Sequence, residues 1–204
     1  MYDDSSLQGA RVVIHDIPVL VFQDASDNCE EVLPILTNAT LYQAALHNQR
    51  VMYLTECKET FAVLQKQKRT NGIWNRVKVV HFAQYERTQE IEEYKREYNS
   101  KKPLETSNSE DMLWRFELLC IVRWMVTYQF IVDNNLEQVA SIDRDALLYV
   151  NVTRYAQETN MQCGLLLEPP RSAGSFSILS RRCLREFIDI AIQDINARSA
   201  KQQR

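Results

Sequence analysis

The stretch "LEQVASIDRD" (residues 136–145) decides how the chain is read. It follows the turn signal "DNN", holds Val139, Ala140 and Ile142 in a short apolar run, and reads as a buried strand over 136–143. That strand delivers two aspartates, Asp143 and Asp145, to its carboxyl end. Carboxylates are almost never fully buried without a partner, so something positive should meet them. A metal ion, an arginine, a helix N-terminus or water at a strand end would each serve.

On either side of this stretch, strands and helices alternate. "RVVIHDIPVLVFQD" (residues 11–24) is rich in β-branched residues and predicts a buried strand over 18–23, ending at Gln23 and Asp24. Residues 30–48 place Val32, Ile35, Leu36, Ala39, Tyr42 and Leu46 at helical spacing, with Pro34 tolerable in a first turn. "RVMYLTE" (50–56) is a second strand, "KETFAVLQKQ" (58–67) a short helix and "NRVKVVHFAQ" (75–84) a third strand. Residues 85–110 form a polar insertion, with a solvated helix on Ile91, Tyr94 and Tyr98 and then a loop. A long apolar helix spans about 110–133. Beyond the aspartates, "CGLLLE" (163–168) and "SFSIL" (175–179) read as strands around the turn-prone "PPRSAG". Ser180 is the N-cap of a last helix striped by Leu184, Phe187, Ile188, Ala191 and Ile195, with a frayed polar tail over 197–204.

This alternation predicts a single α/β domain over 1–204, a mostly parallel central sheet flanked by helices. Ligands of such sheets bind beyond the carboxyl ends of the strands, where Asp24, Asp143 and Asp145 all fall. At 204 residues, 45% apolar and 25% charged, the chain can bury a sizeable core. Its net charge of −3 argues against a general nucleic-acid binder.

The five cysteines have wide spacings and no Cys-x-x-Cys pair, so neither a zinc ribbon nor a redox dithiol is expected. Cys120 and Cys183 fall in helical apolar patterns and read as core thiols, which favours a reducing, cytoplasmic setting. No apolar segment follows Met1, so no signal peptide is read. The run "LLCIVRWMVTYQFIV" (118–132) carries Arg123 and falls short of a membrane span. Asn38 and Asn151 stand in Asn-x-Thr sequons, which without a secretory route are chance matches.

In an extended chain Asp143 and Asp145 would leave the same face and repel unless a cation lay near them. An Asp-x-Asp there suits a divalent cation holding a diphosphate, since hard cations take carboxylate and phosphate oxygens. The plain alternative is a solvated turn with Arg144 partly neutralising the pair. Arg123 has apolar neighbours on almost every side and needs an acceptor from elsewhere, either a diphosphate or a strand-end aspartate. The histidines His15, His47 and His81 have no metal or triad spacing, and the four glycines form no phosphate loop.

The order "RW…NNLEQVASIDRDALLY", followed by "SAGSFSILSRRCLREF", resembles glycosyltransferases of the GT-A fold, and more distantly the glycogenin-like transferases. The resemblance implies a nucleotide-sugar donor, an acceptor of unknown class and a Mn2+ or Mg2+ ion. It implies that Asp143 holds donor ribose and metal, Asp145 ligates the metal and Arg123 neutralises donor charge. Ala173 and Gly174 would line the sugar pocket, while Phe22, Gln23 and Asp24 would lie near the base. Arg144 departs from the family pattern, in which the middle residue is small, and its charge would weaken metal binding or partly replace the metal. The chain also stops about where such enzymes continue into their acceptor-binding part. The function expected is therefore sugar transfer from a nucleotide diphosphate; the alternatives are a non-catalytic module of the same fold, or a sugar nucleotidyltransferase.

Overall fold

The computed structural model describes residues 16–22, 35–55, 57, 59–102, 107–165 and 176–202. In chain order these form β1 (Val19–Phe22), α1 (Ile35–His47), β2 (Val51–Thr55), α2 (Glu59–Thr70), a 3-10 turn (Gly72–Arg76) and β3 (Val77–His81). Then come α3 (Ala83–Glu86), α4 (Gln89–Ser100), α5 (Asn108–Asp133), β4 (Gln138–Ile142) and α6 (Val152–Thr159). β5 (Cys163–Leu165), β6 (Phe176–Ser180) and α7 (Arg181–Gln202) complete the described chain.

The strands make one six-stranded sheet in the order β3-β2-β1-β4-β6-β5. The first four run parallel, while β6 is antiparallel to both β4 and β5, so the sheet is mixed but mostly parallel. The α/β reading holds at that level. From β1 the chain steps through β2 to β3 on one side, and β4 then pairs on the other side of β1. The winding direction thus reverses between β1 and β4, and their carboxyl ends flank the crevice this creates.

Side-chain alternation along β1 explains why helices cover both faces. Leu20 and Phe22 point into a core with Met125, Phe130, Leu184 and Ile188, contributed by α5 and α7. Val19 and Val21 point the other way, against Leu41, Ala44 and Ala45 of α1 and Val152 and Ala156 of α6. α5 starts on a capping box: Ser107 Oγ accepts the Glu110 N–H, and the Glu110 carboxylate accepts the Ser107 N–H at 2.8 Å. The helix within the polar insertion exists as α4, and Ile91, Tyr94 and Tyr98 are its buried residues. Ser180 caps α7 as expected, its Oγ accepting the Cys183 N–H at 3.2 Å.

Three expectations need correction. The stripe on α1 is on the wrong side, for Ile35 and Leu36 are 81% and 64% exposed while Thr37, Thr40, Leu41, Ala44 and Ala45 are buried. The helix lies against the sheet through small side chains, which allow close approach. Cys183 is no core thiol: it is half-buried and disulfide-bonded to Cys163, tying α7 to β5 across a Cα separation of 6.1 Å. Closing that loop of roughly 20 residues is worth about 3 kcal/mol on a chain-entropy basis. Cys57 is disulfide-bonded as well, so the premise of a reducing setting is removed. Beyond these three, α6 forms where the sequence pattern predicts no element. Among the described residues, no helix is long and apolar enough to cross a membrane.

Candidate site at the switch between β1 and β4

β4 ends at Ile142, and the chain turns at once. The Asp143 carbonyl accepts the Ala146 N–H at 3.1 Å, closing a turn with Asp143 first and Asp145 third. The backbone is therefore not extended between the aspartates, and the premise that both leave one strand face is corrected. Asp143 is half-buried, whereas Asp145 is exposed. The Thr40 hydroxyl donates to the Arg144 carbonyl at 2.8 Å and fastens the turn to α1.

Arg123 reaches this turn from the middle of α5. Its Nη1 donates to Asp143 Oδ1 at 2.7 Å, and its Nη2 donates to Ser141 Oγ at 3.1 Å and the Ile142 carbonyl at 3.3 Å. The guanidinium carbon stands 4.9 Å from the centre of the Phe22 ring and 5.5 Å from that of Trp124, so the cation rests among aromatic rings. The positive group that meets Asp143 is an arginine. The contact is short and charge-assisted. With 19% and 31% of the two side chains still exposed, water screens the pair more than it would in a sealed core. Arg123 Nε is left over, buried with no hydrogen-bond acceptor among the described residues.

Phe22, Phe82, Leu119, Val122 and Val126 line a small pocket together with Arg123 and Glu86. Its volume of about 30 Å3 has room for a water or two and not for a nucleotide. A nucleotide would have to lie across the strand ends rather than inside this pocket. Glu86 is itself held by Lys95 at 2.6 Å.

Of the eight residues singled out from the sequence, the structure brings Phe22, Arg123 and Asp143 together and leaves Asp145 on the solvent side of the turn. Gln23, Asp24, Ala173 and Gly174 lie outside the described residues. Among the described residues, no group of three or more His, Cys, Asp or Glu side chains could hold a metal ion. The donor set at the turn is two carboxylates, one of them engaged by a guanidinium. This fits only a magnesium-like mode, in which one or two carboxylates bind and phosphate oxygens supply further ligands. Sequence reading missed Ser141. Its signal was a hydroxyl in the apolar core of a strand, and it is fully buried.

No protein-family model, no curated protein and no solved structure matches the chain. The chain is an α/β domain with a mostly parallel sheet and a polar pair at its switch point. The glycosyltransferase resemblance rests on the quoted residues alone.

Proposed function

We propose that this chain is a nucleotide-sugar glycosyltransferase domain that seats a donor diphosphate across the carboxyl ends of β1 and β4. The observation that carries the reading is the position of Arg123, Asp143 and Phe22 where the sheet reverses its winding. α/β sheets of this kind present ligands there because loops diverge on either side and leave a crevice. Arg123 keeps a buried Nε–H without an acceptor among the described residues, and a guanidinium is suited to phosphate oxygens. Asp145 has an exposed carboxylate next along the turn.

In this reading, Asp143 and Asp145 are the residues that would hold Mn2+ or Mg2+ together with the donor's phosphate oxygens. Such an ion supplies electrostatic stabilisation of the charge that grows on the leaving diphosphate. Arg123 adds a fixed positive charge at the same place, already oriented by Ser141 and the Ile142 carbonyl, so it needs little reorganisation. Phe22 gives the guanidinium a flat apolar support.

The test is isothermal titration of uridine and guanosine diphosphates, first with manganese and then with chelator, into the wild type and Asp145→Ala. Manganese-dependent binding that Asp145→Ala weakens supports the reading. Binding of neither diphosphate in any condition overturns it. One observation favours a second reading, a non-catalytic module of the same architecture: Arg123 and Asp143 are already paired with each other at 2.7 Å. Absence of diphosphate binding would leave that pair as the reason the aspartate is there.

A further inference from the structure

We infer that Asn151 is an acceptor for N-linked oligosaccharide, and that Asn38, the other Asn-x-Thr sequon among the described residues, is not. The two sites have the same three-residue pattern, Asn38-Ala39-Thr40 and Asn151-Val152-Thr153. Their surroundings differ. Asn38 lies within α1, half-buried, with its Oδ1 accepting from Gln67 at 3.4 Å; Thr40 is fully buried. A bulky glycan on Asn38 would have to displace α2 at that contact. Asn151 precedes α6, is exposed, and has an extended backbone with φ −77° and ψ 109°.

The bonds of Asn151 survive the modification. Its Oδ1 accepts the Arg154 N–H at 2.9 Å, capping α6, and its Nδ2 donates to the His47 carbonyl at 2.9 Å. In the transfer, Asn151 Nδ2 bonds to the anomeric carbon of a lipid-diphosphate oligosaccharide. The bond from that carbon to the diphosphate oxygen breaks, and the lipid diphosphate leaves with the electron pair. One amide proton passes to a base of the oligosaccharide transferase. The product keeps one N–H for His47 and an untouched Oδ1 for the helix cap.

Two independent features agree with this. The Cys163–Cys183 bridge and the disulfide-bonded Cys57 suit an oxidising compartment, the setting in which secreted chains carry such glycans. Along the chain, Asn151 is flanked by Leu147, Tyr149, Val150 and Tyr155, which are 50%, 64%, 41% and 37% exposed. An apolar surface of that kind is a liability in water, and a solubilising glycan beside it would shield it.

The experiment directs the full chain into the secretory pathway of a eukaryotic cell with an added leader. It follows the mass of the pooled lumenal and secreted protein before and after glycan-releasing amidase. The amidase converts a glycosylated Asn to Asp, so digestion in heavy-oxygen water marks the residue used. The expected result is one released glycan and a mark at Asn151. The companion variant Asn151→Asp keeps a capping carboxylate for α6 and should abolish the mass shift, whereas Asn38→Gln should leave it unchanged. An unshifted mass in the wild type, or a mark at Asn38 with none at Asn151, overturns the inference.

Discussion

On the α5 and α7 face of the sheet, Phe130, Ile131, Leu184 and Ile188 are almost completely buried and share one core with Leu20 and Leu54. On the α1 and α6 face, α1 buries Thr37, Thr40, Ala44 and Ala45 around one large side chain, Leu41. Here amide groups join the elements. Asn48, buried just past α1, donates to the Ala44 carbonyl at 3.0 Å and the Val150 carbonyl at 3.1 Å, and accepts the Val152 N–H at 2.9 Å. The α5 and α7 layer is held by volume, whereas α1 is seated by small residues, close approach and directed polar bonds, with Tyr53 and Leu64 filling the core beside it. Helices of one domain are thus recruited to one sheet by different physics, and each kind predicts a different mutational signature.

The largest expected effect tests the volume-built face. Phe130→Ala should cost about 3–5 kcal/mol, read as a shift in urea midpoint at unchanged slope, because the lost transfer energy and the cavity add. Phe130 also packs edge-on against Tyr85, with ring centres 5.4 Å apart, so the loss spreads to α3. A cost below about 1 kcal/mol would mean that the face collapses around the gap and is not close-packed.

The next prediction concerns the polar face. Asn48→Ala removes little apolar area, yet it should cost about 1–3 kcal/mol because the Val152 N–H is left buried without its acceptor. Amide exchange at the start of α6 should quicken in the same variant, while exchange in α5 stays unchanged. Equal quickening in both helices would break the division between the faces.

The same contrast explains what could be read in the sequence. α4, α5 and α7 were legible because Ile91, Tyr94 and Tyr98, or Leu184 and Ile188, are large residues at spacings of three and four. α1 was legible as a helix but not in its orientation. Hydrophobic periodicity counts large residues, and this helix buries threonines and alanines. α6 was missed because its eight residues bury only Val152 and Ala156, and it is bounded by the Asn151 cap and the left-handed Asn160. At the site, an arginine among apolar neighbours announced its need for an acceptor, and Asp143 supplies it. At Asp143–Ala146 the sequence leaves an extended Asp-x-Asp and a solvated turn both open, and the turn is what forms, an aspartate being a favoured first residue of one.

A smaller effect is expected at the entry to the volume-built face. Ser107→Ala should cost about 1 kcal/mol at neutral pH through loss of the α5 N-cap. The Ser107 backbone N–H, followed by its hydroxyl, holds the Glu110 carboxyl below its ordinary pKa. A lowered folded pKa gives stability that is fully present above the unfolded value and is lost as pH falls through the folded one. Glu110→Gln should therefore be less stable than the wild type at neutral pH and equal to it in strong acid. A gap that persists in acid would assign the effect to shape and not to charge.

The smallest predicted effect is the sharpest test of the polar face. Ile35→Ser would be severe if α1 used the stripe that its sequence displays, since burying an isoleucine is worth about 1.5–3 kcal/mol. With Ile35 at 81% exposure there is almost no burial to lose, and the change should stay within about 0.5 kcal/mol. Thr40→Val, on the opposite side, is nearly equal in volume but loses the hydroxyl that donates to the Arg144 carbonyl. It should therefore destabilise more than Ile35→Ser despite adding apolar surface, because the carbonyl it leaves behind belongs to the turn that carries Asp143 and Asp145. The reverse order, measured by urea denaturation of both variants, would put the isoleucine stripe back against the core and undo the assignment of α1 to a polar face.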